Sequence, residues 1–357
     1  MRSLNAMFSR ALPNLRQTAR LSSSPTASPP CAWPITFSFC SGESLSSRGV
    51  MSNSWPRTAD TRRCSILRRS SIGNGTSHDL VDTRKREGIM PNPTTNADNL
   101  PPIPLTEDQR YVFDTRGWLL IPGVLSESEI QEMRAFCYQL KQEPRSIPEH
   151  HRYSIGGPLE SLTDHPVVCG FMNEFLASAY ANENCYGFRL EGTFLTIRAN
   201  GHDAFRPHGG RGMLNFPGNS HTYHLHYDKA HSGLTRVVWE LNPVQKGCGG
   251  TMFLTGSHKG AFPAPKSTED RNSALWEDYT CPAGSVLIFT EAITHTGAKW
   301  TDETVDRIAI FNCYNTVGNK WHRWEPHPQH LEEMPFKRQT LFRPVYCQDN
   351  APTLDAV

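Results

Sequence analysis

The sequence contains no apolar run approaching the roughly 18 residues that a membrane helix needs, so no membrane span is expected. It has no C-x-x-C pair, which weighs against a zinc ribbon or a thioredoxin-type site. It also lacks a G-x-x-x-x-G-K-[ST] phosphate loop, an H-E-x-x-H pair and a G-x-S-x-G elbow. Nucleotide hydrolases, zincin proteases and ordinary serine hydrolases therefore lose their main support. Ten cysteines in 357 residues are too sparse for a secreted disulfide scaffold, and they read as reduced, mostly buried thiols of an intracellular protein. Hydrophobic residues make up 37% and charged residues 20%, both low for a compact chain. Part of the chain is therefore expected not to fold.

The charge distribution says which part. Residues 1–90 hold 13 of the 36 Lys and Arg but only 5 of the 35 Asp and Glu, which leaves 23 basic and 30 acidic residues in the rest. The formal net charge of +1 thus conceals a basic leader and an acidic body. An acidic body argues against nucleic acid as a partner, because phosphate binding requires a basic face. The leader has 17 serines, scattered arginines and no sustained apolar period, the composition of a disordered segment. Its first 42 residues carry no acidic residue, and Arg2, Arg10, Arg16 and Arg20 are interspersed with Leu4, Phe8, Leu12 and Leu15. Two readings stand side by side: a mitochondrial-type transit peptide, or an extension ahead of a second start at Met90. The expected organisation is a disordered leader over 1–95 and one folded domain over 100–350, in the cytoplasm or a mitochondrion.

The folded part opens with helical signals. Thr106 with Gln109, and Ser126 with Glu129, have capping-box spacing. Ile130, Met133, Phe136, Cys137 and Leu140 recur at helical intervals and predict a helix over 127–143. A second helix is expected over 166–182. Residues 117–123 read as a short strand and turn. From about residue 187 the segments become short, rich in Phe, Thr, Val and Ile, and broken by Gly and Pro. Strands are expected over 188–197, 223–227, 234–241, 250–254, 285–290 and 307–314. Helices followed by many short strands predict an α+β protein with a jelly-roll core.

The segment richest in chemistry is His221-Thr222-Tyr223-His224-Leu225-His226-Tyr227-Asp228. On a continuous strand, residues 224, 226 and 228 share a face. Imidazoles and a carboxylate buried together are costly unless a metal satisfies them. His226 and Asp228, joined by a distant histidine, make the two-His-one-carboxylate set of non-haem Fe(II) oxygenases. His295, just beyond the apolar strand 285–290, is the candidate third ligand. Arg307 opens another apolar strand, and an arginine there requires an anion, which its planar fork fits bidentately.

These residues resemble the phytanoyl-CoA dioxygenase family of Fe(II)- and 2-oxoglutarate-dependent oxygenases. The resemblance rests on His226-x-Asp228, His295, Arg307 and the run Gly249-Gly250-Thr251-Met252-Phe253-Leu254-Thr255-Gly256-Ser257-His258-Lys259, with Thr255 where proline is usual. The opening Gly117-Trp118-Leu119-Leu120-Ile121-Pro122-Gly123 is also similar. The resemblance implies iron on His226, Asp228 and His295, the far carboxylate of 2-oxoglutarate on Arg307, and Trp239 lining the cosubstrate pocket. The family's usual hydroxyl residue two positions after the distal histidine is Gly297 here, so Thr296 or Tyr223 would supply that hydrogen bond. The expected activity is hydroxylation or desaturation of a small organic substrate with O2. Two rivals remain: a cupin-type metal dioxygenase without 2-oxoglutarate, for which the expected glutamate is missing, and a non-catalytic jelly-roll binding protein. Halogenation is disfavoured, because it usually needs a small residue in place of Asp228. The glycine-rich segment 206–212 reads as a surface loop, ahead of a lid over an anionic substrate.

Overall fold

The computed structural model describes residues 95–177, 181–210 and 221–345. Of the leader expected over 1–95, residues 1–94 lie outside the described residues.

Three helices and the first strand open the described chain. Helix α1 (Glu107–Arg116) and helix α2 (Glu127–Gln142) both begin with the capping boxes read from the sequence, closed by Thr106 with Gln109 and by Ser126 with Glu129. Between them lies β1 (Trp118–Ile121). Helix α2 buries Ile130, Met133 and Cys137 of the stripe its periodicity predicted, and leaves Phe136 and Leu140 partly buried. Helix α3 (Pro166–Phe175) is shorter than expected, with Leu176 as its C-cap.

The strands follow: β2 (Phe188–Arg198), β3 (Tyr223–His226), β4 (Lys229–Ser232), β5 (Thr235–Glu240), β6 (Thr251–Phe253), β7 (Ser285–Thr290), β8 (His295–Gly297) and β9 (Arg307–Thr316). Two short helices, α4 (Pro328–Glu333) and α5 (Phe336–Gln339), close the described chain. Arg338 of α5 pairs with Asp98, Glu160 and Asp164 and ties this end to the helical layer.

The main sheet is antiparallel with strand order β1-β7-β5-β9-β2. Side chains alternate faces along each strand, so the register sorts them into two cores. Leu119, Val237, Trp239, Val286, Ile288, Ile308 and Ile310 face the helices and pack with Phe113, Ile130 and Phe171. Trp118, Val238, Leu287, Phe289, Ala309 and Phe311 face the other way. That second face is covered by the small sheet β6-β8, extended by the isolated bridge between His208 and His295. The result is the α+β architecture expected, a jelly-roll core with its helices on the outer face of the larger sheet. The cavity of interest lies between the two sheets.

Candidate active site

The cavity has a volume of about 300 Å³. Its floor is the inner face of the main sheet, contributed by Phe194 and Arg198 of β2, Arg236 of β5, Phe289 of β7, and Arg307 and Phe311 of β9. Its far wall is β8 with the segment 204–208. Phe194 and Phe311 stack at 4.4 Å between ring centroids, and Arg236 lies over Phe194.

One group of metal-ligand side chains stands in this cavity: His208, Glu291 and His295, with one donor atom each and all three atoms within 4.8 Å of one another. Glu291 and His295 are buried, and His208 faces solvent. His208 reaches His295 because the backbones of the two residues exchange hydrogen bonds of 3.1 and 2.9 Å. The glycine pair after His208 permits this approach. Gly209 and Gly210 have φ of 81° and 90°, and a Cβ on them would come within 2.3 Å of the Ile293 carbonyl and 2.0 Å of Thr294 Oγ1.

Hydrogen bonds set both histidine tautomers. His208 Nδ1 lies 2.8 Å from the Arg206 carbonyl, and His295 Nδ1 lies 2.9 Å from the Ile293 carbonyl. A carbonyl only accepts, so each Nδ1 carries the proton, and in the neutral ring each Nε2 keeps a lone pair. Burial holds His295 neutral, with its pKa pushed down to about 4. Burial by itself would raise the pKa of Glu291, but the guanidinium of Arg236 outweighs it and brings the carboxyl down to about 2. Arg236 donates from Nε and Nη2 to Glu291 Oε1 at 2.7 and 2.6 Å, which leaves Oε2 facing His295 Nε2 at 3.6 Å. Two imidazole nitrogens and one ionised carboxylate oxygen fit a borderline divalent metal such as Fe(II).

At the other end of the cavity, Arg307 is fully buried and paired with Glu240 through Nε and Nη2; Nη2 also contacts Thr251 Oγ1 at 3.4 Å and Tyr279 Oη at 3.2 Å. Tyr279 in turn donates to Glu240 at 2.6 Å. With Arg198, Arg236 and Arg307 against Glu240 and Glu291, the inner charges leave a net positive cavity suited to an anion.

The expected site residues divide accordingly. His295 and Arg307 line the same cavity. His226 and Asp228 do not share one strand, because β3 ends at His226 and Tyr227-Asp228 form the two-residue turn of a hairpin, with His226 paired to Lys229. Tyr227 adopts φ 54°, and Asp228 is exposed, lining a separate cleft with Glu107, Arg110 and Glu174. Asp228 is thus not brought to His295. Trp239 is a correction: its neighbours Val238 and Glu240 face the inner side of the sheet, so strand alternation sends its ring into the helix-side core, 5.1 Å from the ring of His165. Of the two hydroxyls considered beside Gly297, Thr296 lines the cavity and accepts from the Arg206 amide at 2.7 Å, whereas Tyr223 donates to Asp114 of α1.

His208, Glu291, Arg236 and Arg198 were missed. The signals were the Pro207-His208-Gly209-Gly210 run, set aside as a surface loop, and the Glu-x-x-x-His spacing from Glu291 to His295. His224 is exposed on the hairpin, His322 bonds Glu191, and His330 bonds Glu160 and Tyr153, so none of the three enters the cavity.

A jelly roll enclosing a two-His-one-carboxylate group and a cluster of arginines has the layout of a non-haem oxygenase. The family model for phytanoyl-CoA dioxygenase matches residues 113–304, and the chain belongs to that family of 2-oxoglutarate-dependent oxygenases. Among solved structures, HygX from Streptomyces hygroscopicus with nickel, 2-oxoglutarate and hygromycin B bound is similar at 22% identity and a TM-score of 0.50, over 62% of this chain and 90% of that one. At that identity the likeness speaks to the fold alone. The α-ketoglutarate-dependent carbocyclase SnoK from nogalamycin biosynthesis matches at 17% identity and a TM-score of 0.42, over 68% of this chain and 93% of that one. No protein among curated sequences matches at a significant level. No helix among the described residues is long and apolar enough to cross a membrane.

Proposed function

We propose that the chain oxidises a small organic substrate with Fe(II) held by His208, Glu291 and His295 and with 2-oxoglutarate anchored through its far carboxylate by Arg307. The observation that carries this reading is the single cavity shared by the three donors and the buried arginine. When bound, iron would supply, with O2 and 2-oxoglutarate, the oxidising chemistry for hydroxylation or desaturation of the substrate, with succinate and CO2 as the coproducts. The protein's own groups do the positioning. The Arg206 and Ile293 carbonyls hold the two imidazoles with Nε2 toward the cavity, and Arg236 fixes the rotamer of Glu291. Glu240 and Tyr279 orient Arg307, and Phe194 stacked on Phe311 gives the cavity an apolar wall. The cavity arginines favour a dicarboxylate cosubstrate over the cupin reading. The six described cysteines are free thiols, five of them buried, which supports an intracellular setting.

The test pairs two variants. Loaded anaerobically with Fe(II), the intact chain and Asp228→Ala should each bind one metal ion and release succinate from 2-oxoglutarate when screened against a metabolite panel. His208→Ala should lose both. Retention of metal in His208→Ala together with its loss in Asp228→Ala would return the site to the hairpin and overturn the assignment.

A further inference from the structure

Arg198, at the end of β2, is a cavity cation that the reading above leaves without a partner. The β2–β9 register sets it directly opposite Arg307. Like charges directly opposite one another on an antiparallel pair are destabilising, yet both guanidiniums line this cavity. Arg307 is neutralised by Glu240. Arg198 has no such partner among the described residues: its Nε donates to Thr196 Oγ1 at 3.0 Å, and its Nη1 is buried without a hydrogen bond. Burial and the charge of Arg307 push the Arg198 pKa down to about 10.

The opposite wall leaves room for this side chain. A Cβ on Gly297 of β8 would stand 3.1 Å from Arg198 Nη1 and 2.8 Å from Ala204 Cβ, so the guanidinium tip occupies space that a larger residue would fill. Arg307 also presents less than a full fork to the cavity. Its hydrogen bonds among the described residues use Nε and Nη2 toward Glu240, Thr251 and Tyr279, and none uses Nη1. A carboxylate has two oxygens to satisfy, and one edge of Arg307 is already committed.

We infer that Arg198 is a second anion-binding residue of the cavity, completing with Arg307 a two-guanidinium clamp on the far carboxylate of 2-oxoglutarate. This rests on the cosubstrate reading proposed above. It also gives the unpaired Nη1 its partner and relieves the repulsion across the strand pair, because an anion between two guanidiniums screens each from the other.

The test is calorimetric titration of the Mn(II)-loaded chain with 2-oxoglutarate and, in parallel, with 2-oxobutanoate, which lacks the far carboxylate. A hydrogen bond to a charged group contributes about 1.5–3 kcal/mol, so Arg198→Met should weaken 2-oxoglutarate binding roughly 10- to 150-fold. Its affinity for 2-oxobutanoate should stay within about threefold of the parent's. Arg198→Lys should recover part of the loss for 2-oxoglutarate and, as the gentler change, guards against a folding defect. Unchanged 2-oxoglutarate affinity in both variants, while Arg307→Lys weakens it, would overturn the role of Arg198 and leave the cosubstrate reading standing. An equal loss for both ligands would also overturn it, since the effect would then not lie at the far carboxylate. An intact chain that does not prefer 2-oxoglutarate to 2-oxobutanoate would overturn both.

Discussion

Glu291 carries two roles that a pair of substitutions can separate. Its Oε1 accepts both Arg236 bonds, at 2.7 and 2.6 Å, and its Oε2 is the proposed metal donor. The side chains of Arg236 and Glu291 are 13% and 7% exposed, so this is an ion pair largely removed from water. Glu291→Gln keeps the volume and an amide oxygen but deletes the charge, leaving the guanidinium uncompensated. Breaking one side of a buried pair costs about 3–5 kcal/mol. For an ordered region of this size that lowers the thermal midpoint by roughly 6–20 °C. Replacing both members by apolar residues, Arg236→Met with Glu291→Leu, should restore most of the lost stability, because an apolar pair often substitutes for a buried ion pair at little net cost. Metal binding should be lost in the single and the double variant alike, since neither restores a carboxylate. Thermal melting followed by circular dichroism reads the first effect, and metal content after anaerobic Fe(II) loading reads the second. If the single variant melts within about 2 °C of the parent, the buried-pair argument fails. If both variants keep full metal, Glu291 is not a ligand.

Three further outcomes follow from the geometry. Fe(II) at a hundred times its dissociation constant should stabilise the intact chain by about 2.7 kcal/mol in anaerobic melting, and His208→Ala should show no such rise. Arg307→Lys should keep a cation beside Glu240 yet weaken 2-oxoglutarate binding roughly 10- to 100-fold by calorimetry, because a point charge cannot reproduce the planar fork; parental affinity would remove Arg307 from the cosubstrate site. Burial pushes the His258 pKa down to about 4, below its ordinary value near 6.5, and the ring bonds the Asp114 carbonyl at the end of α1. The folded state thus binds fewer protons than the unfolded one. The contribution of His258 to stability is complete above about pH 6.5 and falls by roughly 3 kcal/mol as pH drops to about 4. Denaturant titrations across that window should lose this component in His258→Gln, and an identical slope in the variant would refute the assignment.

Much of the architecture follows from local physics and is legible in the chain. The capping boxes at Thr106 and Ser126, the 3.6-residue stripe of α2 and the apolar strands expected at 285–290 and 307–314 express backbone preferences that need no distant partner. His295 and Arg307 are legible for the same reason: each is a polar residue at the boundary of a strand that is otherwise buried. The hairpin was not. The alternation that would align His226 with Asp228 holds only while a strand continues, and the pairing of His226 with Lys229 turns the chain at Tyr227 instead. Strand parity likewise sends Trp239 to the helices, and parity depends on which face of the sheet the second layer covers.

The sequence by itself determined an α+β chain with a helical opening, a strand-rich body and the family to which it belongs. Only the tertiary structure decided which carboxylate meets His295 and which cations line the cavity. Segments far apart in the chain make those contacts. Gly209 and Gly210 let the loop of His208 press against β8, Arg236 on a neighbouring strand holds Glu291 ionised, and the β2–β9 register sets Arg198 opposite Arg307. Each of these contacts depends on how strands pair across the sheet, and a register is a property of two segments together, which no local pattern within either one encodes.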